Sequence, residues 1–477
     1  MAPTIAPAQG SHEPEAPSPR WAIASLSLSM LLSSLGTSIA NVALPTLAQE
    51  FDATFQQAQW IVLAYLLAIT TLIVSIGRLG DLVGRRRLLL SGILLFVVAS
   101  AACAAASTLW ALIAGRAIQG VGAAVMMALT MAFVGETVPK NKTGRAMGLL
   151  GTMSAVGTAL GPTLGGILIA GIGWPAVFLI NLPLGLAALL LAYRFLPADR
   201  PRGDASRPRF DHLGTVLLAA TLGAYALAMT IGRGNFGLWN LIFLLVAVVG
   251  AALFIVAEKR APAPLIRLSM FQNRVLSAGF GMSVLVTTVM MATLVVGPFY
   301  LSGALALNAA HTGLAMSAGP IVAALAGIPA GRMVDRFSAQ RMTAAGLIVM
   351  LAGCLLLPIL PSDAGVSGYV APLMLMTAGY ALFQAANNTS VMTSIGPDDR
   401  GVVAGIVSLA RNLGLVTGAS VMGSVFAFGA GANDIAAATA QAVAAGMRTT
   451  FMVASVLVAL TLAIALRSGK KSGSQAL

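Results

Sequence analysis

Two arginines interrupt long apolar runs of the chain, and their guanidinium groups are the clearest candidates for chemistry. Arg116 opens the stretch Arg-Ala-Ile-Gln-Gly, and Arg411 opens the stretch Arg-Asn-Leu-Gly. A guanidinium within hydrocarbon costs several kcal/mol unless it faces water or a polar partner, so such residues often line a polar cavity that binds a solute. The alternative for Arg116 is that its aliphatic stem lies along apolar surface while its head reaches toward the end of the run.

A second cluster of charge occurs twice, which indicates an internal repeat. Residues 77–87 read Gly-Arg-Leu-Gly-Asp-Leu-Val-Gly-Arg-Arg-Arg, and residues 331–337 read Gly-Arg-Met-Val-Asp-Arg-Phe. Each copy has an aspartate, Asp81 or Asp335, four positions after the first glycine, in the predicted loop that follows the second apolar run of a half. The pattern predicts two parallel halves related by an axis along the membrane normal.

The elements that carry these residues are helices long enough to cross a bilayer. Of the 477 residues, 58% are apolar and 9% are charged, and the mean hydropathy is +0.90, whereas a soluble domain is typically about a quarter charged. A helix needs about 20 apolar residues to cross hydrocarbon, where its backbone groups must bond internally. Fourteen predicted spans lie at 22–46, 57–77, 88–106, 109–135, 144–170, 174–196, 212–231, 238–257, 275–302, 308–330, 341–361, 367–391, 401–428 and 447–467.

The distribution of basic residues predicts the orientation. Most of the 28 Lys and Arg residues fall in alternate loops, which are cytoplasmic by the positive-inside rule, as are both termini. The net charge of +13 would suggest nucleic acid in a soluble protein, but here topology explains it and no nucleic-acid partner is expected. Cys103 and Cys354 lie far apart in apolar runs and predict neither a disulfide nor a metal site.

Four groups of residues resemble the motifs of a known family. They are 77–87; the Arg116 stretch; Gly-Thr-Ala-Leu-Gly-Pro-Thr-Leu-Gly-Gly at 157–166; and a group at 41–45, 60–65, 178–183 and 411–414. With them the chain resembles the major facilitator superfamily, and within it the fourteen-helix drug:proton antiporters. The resemblance implies an all-α polytopic membrane protein of the major-facilitator fold, with a tail at 1–20, six-helix bundles at 21–197 and 275–467, two extra central helices at 211–257, and a tail at 468–477.

The resemblance also implies roles for individual residues. A carboxylate flanked by guanidinium groups at a helix end can exchange partners as the halves rock, and the expected latch comprises Gly77, Asp81, Gly84, Arg85, Arg86, Asp335 and Arg336. The antiporter motif, which seals the contact between halves, comprises Gly157, Gly161, Pro162, Gly165 and Gly166. The substrate cavity is expected to comprise Asn41, Tyr65, Arg116, Gln119, Gln384, Asn387, Asn388 and Arg411. For each polar residue, an interhelical hydrogen bond is an equal alternative.

None of the fifteen acidic residues lies near the middle of a predicted span, so no carboxylate is expected at the membrane midplane. Drug:proton antiporters of this family often carry an aspartate in the first helix, where this chain reads Leu-Gly-Thr-Ser at 35–38. A carboxylate whose pKa is raised by burial usually binds the proton or a cationic substrate in turn. The remaining proton candidates are Asp81, Glu136 and His311, although a lone histidine is more often structural. The alternative, which we favour, is a neutral or anionic substrate stabilised by Arg116 and Arg411.

Together these features predict a secondary-active efflux transporter. We expect a proton-coupled, monomeric antiporter in the cytoplasmic membrane that exports small amphipathic drugs or metabolites by alternating access and confers multidrug resistance. A metabolite importer or facilitator on the same fold, or a non-transporting membrane receptor, is the alternative. No Ser/His/Asp grouping, metal-ligand cluster or nucleotide-binding loop is found in the sequence, so neither an enzyme nor a cofactor is expected.

Overall fold

The computed structural model describes most of the chain, and every structural statement below refers to that part. The described residues are 19–137, 143–199, 211–231, 237–261, 264, 268–360, 364–395, 400–431, 435 and 438–472.

Fourteen helices of the described chain are long and apolar enough to cross a membrane, which confirms the predicted number. Those of the first half are α1 Pro19–Glu50, α2 Phe55–Val83, α3 Arg85–Ala104, α4 Leu109–Thr137, α5 Thr143–Gly171 and α6 Ala176–Phe195. The central pair are α7 His212–Thr230 and α8 Leu238–Arg260. Those of the second half are α9 Arg274–Ala304, α10 Ala309–Phe337, α11 Ala339–Ile359, α12 Gly365–Thr393, α13 Arg400–Ala430 and α14 Ala440–Ser472. We call the membrane face at which α1 begins the near face and the opposite one the far face.

The repeated motif lies within helices, which corrects the prediction that it forms a loop. Residues 77–83 are the last turns of α2, and 331–337 are the last turns of α10. A single residue separates each helix from the next, Gly84 with φ 104° and Ser338 with φ 78°. Both copies therefore turn at the same position of the motif. Helices continue beyond their apolar runs because the hydrogen bonds of an α-helix do not require apolar side chains once the chain reaches water.

The two halves meet at the far face. The Phe55 ring at the start of α2 lies 4.7 Å, centroid to centroid, from Phe299 of α9 and 5.4 Å from Phe426 of α13. Gln59 Nε2 of α2 donates a hydrogen bond of 2.9 Å to the carbonyl of Ala419 in α13. These contacts close the far face between the halves.

The central helix pair packs against both halves through α7. Trp60 Nε1 of α2 donates to the hydroxyl of Thr230 at 3.2 Å, and Ser75 of α2 shares a 2.9 Å hydrogen bond with Thr215. On the other side, the Ser424 hydroxyl of α13 donates to the Met229 carbonyl. By contrast, α8 exposes most of its apolar side chains, as a helix surrounded by lipid would.

Two of the second-half helices contain a π-helical segment near the far face. In α9 it follows Phe299 and covers Tyr300–Ala304, and in α13 it covers Gly418–Met422. Such segments add a residue to a turn and shift the helix register locally. Both segments adjoin the far-face contacts of Phe299 and Ala419, so they set how the second half meets α2.

Candidate functional site

A cavity of about 150 Å³ lies between the two halves. Its walls are rich in hydroxyl groups, methionines and tyrosines, and hold one guanidinium. The described residues that give it this character are Ser34, Thr37, Ser38, Met127, Thr158, Thr287, Met290, Thr293, Met316, Tyr369, Thr377, Tyr380, Ser408, Arg411 and Asn412. No carboxylate occurs among the described residues of the lining. The cavity therefore offers hydrogen bonds, polarisable apolar surface and one positive charge.

Arg411 contributes that positive charge. It lies on α13, on the near-face side of the π-helical segment, and its side chain is half-buried. No hydrogen bond or ion pair joins its guanidinium to another residue in the described part of the chain. The adjacent Asn412 is buried and lines the same cavity. A guanidinium in this position can donate several hydrogen bonds to an anionic or carbonyl oxygen of a bound molecule.

Arg116, the other predicted cationic residue of the cavity, is not among the described residues of the lining. Its side chain is 0% exposed, and its Nε donates to the carbonyl of Ile61 at 3.0 Å. Its Nη1 donates to Gln119 Oε1 at 2.6 Å, and Gln119 Nε2 donates to the Ser100 hydroxyl at 2.6 Å. The guanidinium carbon lies 4.1 Å from the centroid of the Tyr65 ring, a cation–π contact. Arg116 and Gln119 thus join α2, α3 and α4 within the first half.

The other polar residues predicted for the cavity are also engaged in helix packing. Tyr65 donates its hydroxyl to the Ser33 carbonyl at 2.7 Å, and Asn41 donates to the Thr37 carbonyl at 2.9 Å within its own helix. Asn387 Nδ2 donates to the Gly279 carbonyl at 3.2 Å. Gln384 and Asn388 are half-buried on α12 and do not occur among the described lining residues. The sequence reveals the polar type of each residue but not the direction in which its helix turns it.

A carboxylate that is not among the predicted latch residues contacts the arginines at the start of α3. The backbone N–H groups of Arg86 and Arg87 donate to the two carboxylate oxygens of Asp199, at 2.8 and 3.2 Å. The guanidinium of Arg86 donates to the carbonyl of Tyr193 and lies 5.4 Å from the centroid of its ring. Asp199 therefore caps α3 from the segment that follows α6. The contact spans more than a hundred residues of sequence, and no local pattern indicates it.

The remaining latch and proton candidates are placed only in part. The side chains of Asp81 and Glu136 lie outside the described residues. Gly77 has open space where a Cβ would stand, whereas a Cβ on Gly84 would lie 2.5 Å from Asp199 Oδ2. The Asp335 and Arg336 side chains are exposed at the near face. His311 is exposed near the start of α10, where its Nδ1 lies 2.8 Å from Asn308 Oδ1.

The glycines of the predicted antiporter motif face two different helices. Gly157, Gly161 and Gly165 contact α1, and a Cβ on Gly165 would lie 2.6 Å from Val42 Cγ1. Gly166 faces α10 of the other half, where its Cβ would lie 2.5 Å from the Ala309 carbonyl oxygen. The Pro162 carbonyl is the nearest atom to a Cβ built on Gly313 of α10. One stripe of small residues thus joins α5 to α1 and to the second half at the far face.

No group of three or more His, Cys, Asp or Glu residues in the described ranges is placed to hold a metal ion.

Comparison with known proteins agrees with this architecture. A family model described as Major Facilitator Superfamily matches residues 26–419 and 279–476. The chain is 34% identical to the uncharacterized transporter YebQ of Escherichia coli strain K12, over 84% of this chain and 88% of that protein. It is 31% identical to the riboflavin transporter RibZ of Clostridioides difficile strain 630, over 84% of this chain and 86% of RibZ. It is also 31% identical to the multidrug resistance protein Stp of Mycobacterium tuberculosis, over 84% of this chain and 74% of Stp.

A solved structure shares the fold. The inward-facing and occupied form of a bacterial homologue of the human lysosomal transporter Spinster superposes with a TM-score of 0.69 at 14% identity, covering 94% of this chain and 97% of that one. The relatives named above are transporters and not enzymes. A family match over most of the chain, fourteen spans and a polar cavity between two helical bundles lead to one conclusion: the chain belongs to the major facilitator superfamily of membrane transporters.

Proposed function

We propose that the protein is a secondary-active exporter of small amphipathic drugs or metabolites, working by alternating access. The observation that carries this proposal is a polar cavity between the halves together with contacts that close the halves at the far face. The Phe55 cluster, the Gln59 hydrogen bond and the Gly166 contact all join one half to the other, so they must separate for the cavity to open there. Rocking of the halves would then expose the cavity to each face in turn.

The chemistry of the cavity favours a neutral or anionic substrate. Arg411 is the one charged group among its described lining residues, and hydroxyl groups supply most of its hydrogen-bonding capacity. A cation that entered the cavity would lose part of its hydration shell and find no carboxylate among the described lining residues to compensate. Such uncompensated desolvation is costly in a site of low dielectric constant. The relative RibZ is a riboflavin transporter, which fits a neutral substrate, and the relative Stp is a multidrug resistance protein, which fits small drugs.

Export, proton coupling and orientation complete the proposal. Export is supported by the glycine–proline stretch at 157–166, which resembles the antiporter motif. Asp81, Glu136 and His311 remain our candidates for the proton site. The clustering of basic residues in alternate loops supports an orientation with the near face, and both termini, on the cytoplasmic side of the cell membrane.

Counterflow in proteoliposomes tests the proposal. Three solutes of similar size and different charge would be compared: a fluorescein carboxylate, neutral riboflavin and a rhodamine cation. We expect uptake of the anionic and neutral solutes to exceed that of the cation. Arg411→Gln should weaken transport of the carboxylate by about 10- to 150-fold, in keeping with the loss of a charge-assisted hydrogen bond of roughly 1.5–3 kcal/mol, while Arg411→Lys should retain part of it.

Imposed pH gradients test the coupling separately. If protons drive export, a gradient should accelerate substrate flux in the wild-type protein, and Asp81→Asn or Glu136→Gln should remove that acceleration. Flux that ignores the gradient would refute proton coupling without affecting the substrate assignment. Preferential transport of the rhodamine cation, undiminished in Arg411→Gln, would refute the assignment of Arg411 to substrate binding.

A further inference from the structure

A second cavity lies at the near face, where α10 turns into α11 beside the end of α14. Its volume is about 660 Å³, and it is open to the surroundings. Two guanidinium groups and an amide line one side, and apolar side chains line the other. The described residues that matter are Arg336, Phe337, Gln340, Arg341, Ala465 and Leu466. No carboxylate occurs among its described lining residues, and the nearby Asp335 is exposed but not part of the lining.

The internal repeat supplies a reference for this cavity. Residues 77–87 align with residues 331–341 without a gap, so Gly84 corresponds to Ser338 and Arg87 corresponds to Arg341. In the first half, the corresponding place is filled by a side chain of the protein, that of Asp199. The carboxylate of Asp199 accepts hydrogen bonds from the first backbone N–H groups of α3 and lies against Gly84. At this turn of the first half, an anionic group therefore binds to the start of a helix, beside arginines.

In the described part of the second half, no carboxylate lines the corresponding cavity. In the first half, α6 ends at Phe195, and the segment after it brings Asp199 to the start of α3. The corresponding helix of the second half, α14, continues to Ser472. The Ala-Leu-Arg sequence at 465–467 takes the place of Ala-Tyr-Arg at 192–194. The start of α11 has no hydrogen bond from a capping side chain of Ser338. The pseudo-equivalent site therefore keeps the helix N-terminus and one arginine, Arg341 in place of Arg87, and adds Arg336 in place of Leu82. It has a cavity where the first half has an acidic side chain.

We propose that this cavity binds the phosphate of an anionic phospholipid headgroup, which takes the place that Asp199 occupies in the first half. A phosphate oxygen would accept from the guanidinium groups of Arg336 and Arg341 and from the first N–H groups of α11. The cavity lies at the near-face ends of α10 and α14 and the start of α11, three helices long enough to cross a membrane, so the headgroups of a surrounding bilayer would lie beside it. Phe337 and Leu466 expose 45% and 54% of their surfaces there and would contact the first methylene groups of the acyl chains. Basic pockets between membrane helices are suited to such lipids.

Native mass spectrometry of the full-length protein in detergent tests this assignment. Equal concentrations of phosphatidylglycerol, phosphatidylcholine and inorganic phosphate would be added in separate and competing titrations. Because each arginine beside the bound headgroup should contribute about a fivefold factor to binding an anionic lipid, we expect a strong preference for phosphatidylglycerol. Arg341→Gln should reduce that preference about fivefold, and Arg336→Gln combined with Arg341→Gln should nearly abolish it.

Arg194→Gln is the matched control. Arg194 is also exposed near the end of a near-face helix, but it lies outside the cavity, so its replacement should leave the preference unchanged. Circular dichroism and gel filtration would verify folding, and Arg341→Lys should bind the lipid better than Arg341→Gln does. Equal retention of both lipids by the wild type, or an unchanged preference in the folded double variant, would overturn the proposal. Displacement of phosphatidylglycerol by an equal concentration of phosphate would also overturn it, in favour of a free anion.

Discussion

Replacing Gly166 by alanine should push the transporter toward a state that is open at the far face. The new Cβ would lie 2.5 Å from the Ala309 carbonyl oxygen and 3.1 Å from Gly313 Cα, whereas ordinary contacts begin at 3.4 Å. Both neighbours are backbone atoms of the other half, so the overlap can be relieved only by separating α5 from α10. Overpacking of this kind costs typically about 1–3 kcal/mol, and the cost applies only while the far face is closed. The equilibrium should therefore shift toward the open state by about 5- to 150-fold.

A cysteine reporter at Thr312 would measure this shift. Thr312 is 2% exposed beside the contact, and the two native cysteines, Cys103 and Cys354, are buried. In the Thr312→Cys background, the rate of reaction with a polar maleimide should report the fraction of molecules open at the far face. We expect Gly166→Ala to raise that rate within the range given above.

Two alanine substitutions on the same helix serve as controls. A Cβ on Gly171 would have no atom within 4 Å, so Gly171→Ala should leave the labelling rate unchanged. A Cβ on Gly165 would lie 2.6 Å from Val42 Cγ1, inside the first half, so Gly165→Ala should lower thermal stability without favouring the open state. If Gly166→Ala and Gly171→Ala were labelled at the same rate, the Gly166 contact would not hold the far face closed.

Three further substitutions test other contacts. Gln59→Ala removes the hydrogen bond to the second half, which is worth about 0.5–1.5 kcal/mol. It should speed maleimide labelling of the Thr312→Cys reporter about two- to tenfold, and an unchanged labelling rate would contradict this expectation. Asp199→Ala should lower the thermal unfolding midpoint, because it removes an α3 cap worth about 1 kcal/mol, and Asp199→Asn should have an intermediate effect. Equal midpoints of Asp199→Ala and the wild type would show that the cap adds nothing to stability. Arg116→Lys should also lower the midpoint, because a lysine has no planar fork whose Nε and Nη1 reach the Ile61 carbonyl and Gln119 separately. A midpoint at or above that of the wild type would show these bonds to be dispensable.

The fold could be predicted from the sequence because the bilayer imposes a simple rule on every span. Each apolar run of about 20 residues must form a helix, and charged loops separate the runs. The helix ends could not be predicted in the same way. Helix α2 continues to Val83 and α14 to Ser472, beyond their predicted ends at 77 and 467, because polar residues such as Arg78 and Asp81 tolerate helical geometry in water.

The candidate site could be predicted only in its residue types. Arg116 and Arg411 are alike in sequence, yet one is enclosed by three helices of its own half and the other lines the cavity. Which way a guanidinium points depends on the rotation of its helix against neighbours, and a single sequence does not record that rotation. Asp199 was missed for a related reason, since its role depends on a contact with α3 that only the folded chain creates.

The central pair of helices also determines how a lipid-dissolved molecule can approach. Leu218 and Leu222 of α7 pack in one apolar cluster with Val403 of α13 and Leu67 of α2, so α7 walls off the seam where those two helices face each other. A hydrophobic compound that diffuses sideways within the bilayer therefore meets a barrier on this flank. On the opposite flank, α5 packs directly against α10 through Gly166 and Gly313, so the two seams between the halves present different obstacles to a lipid-dissolved molecule.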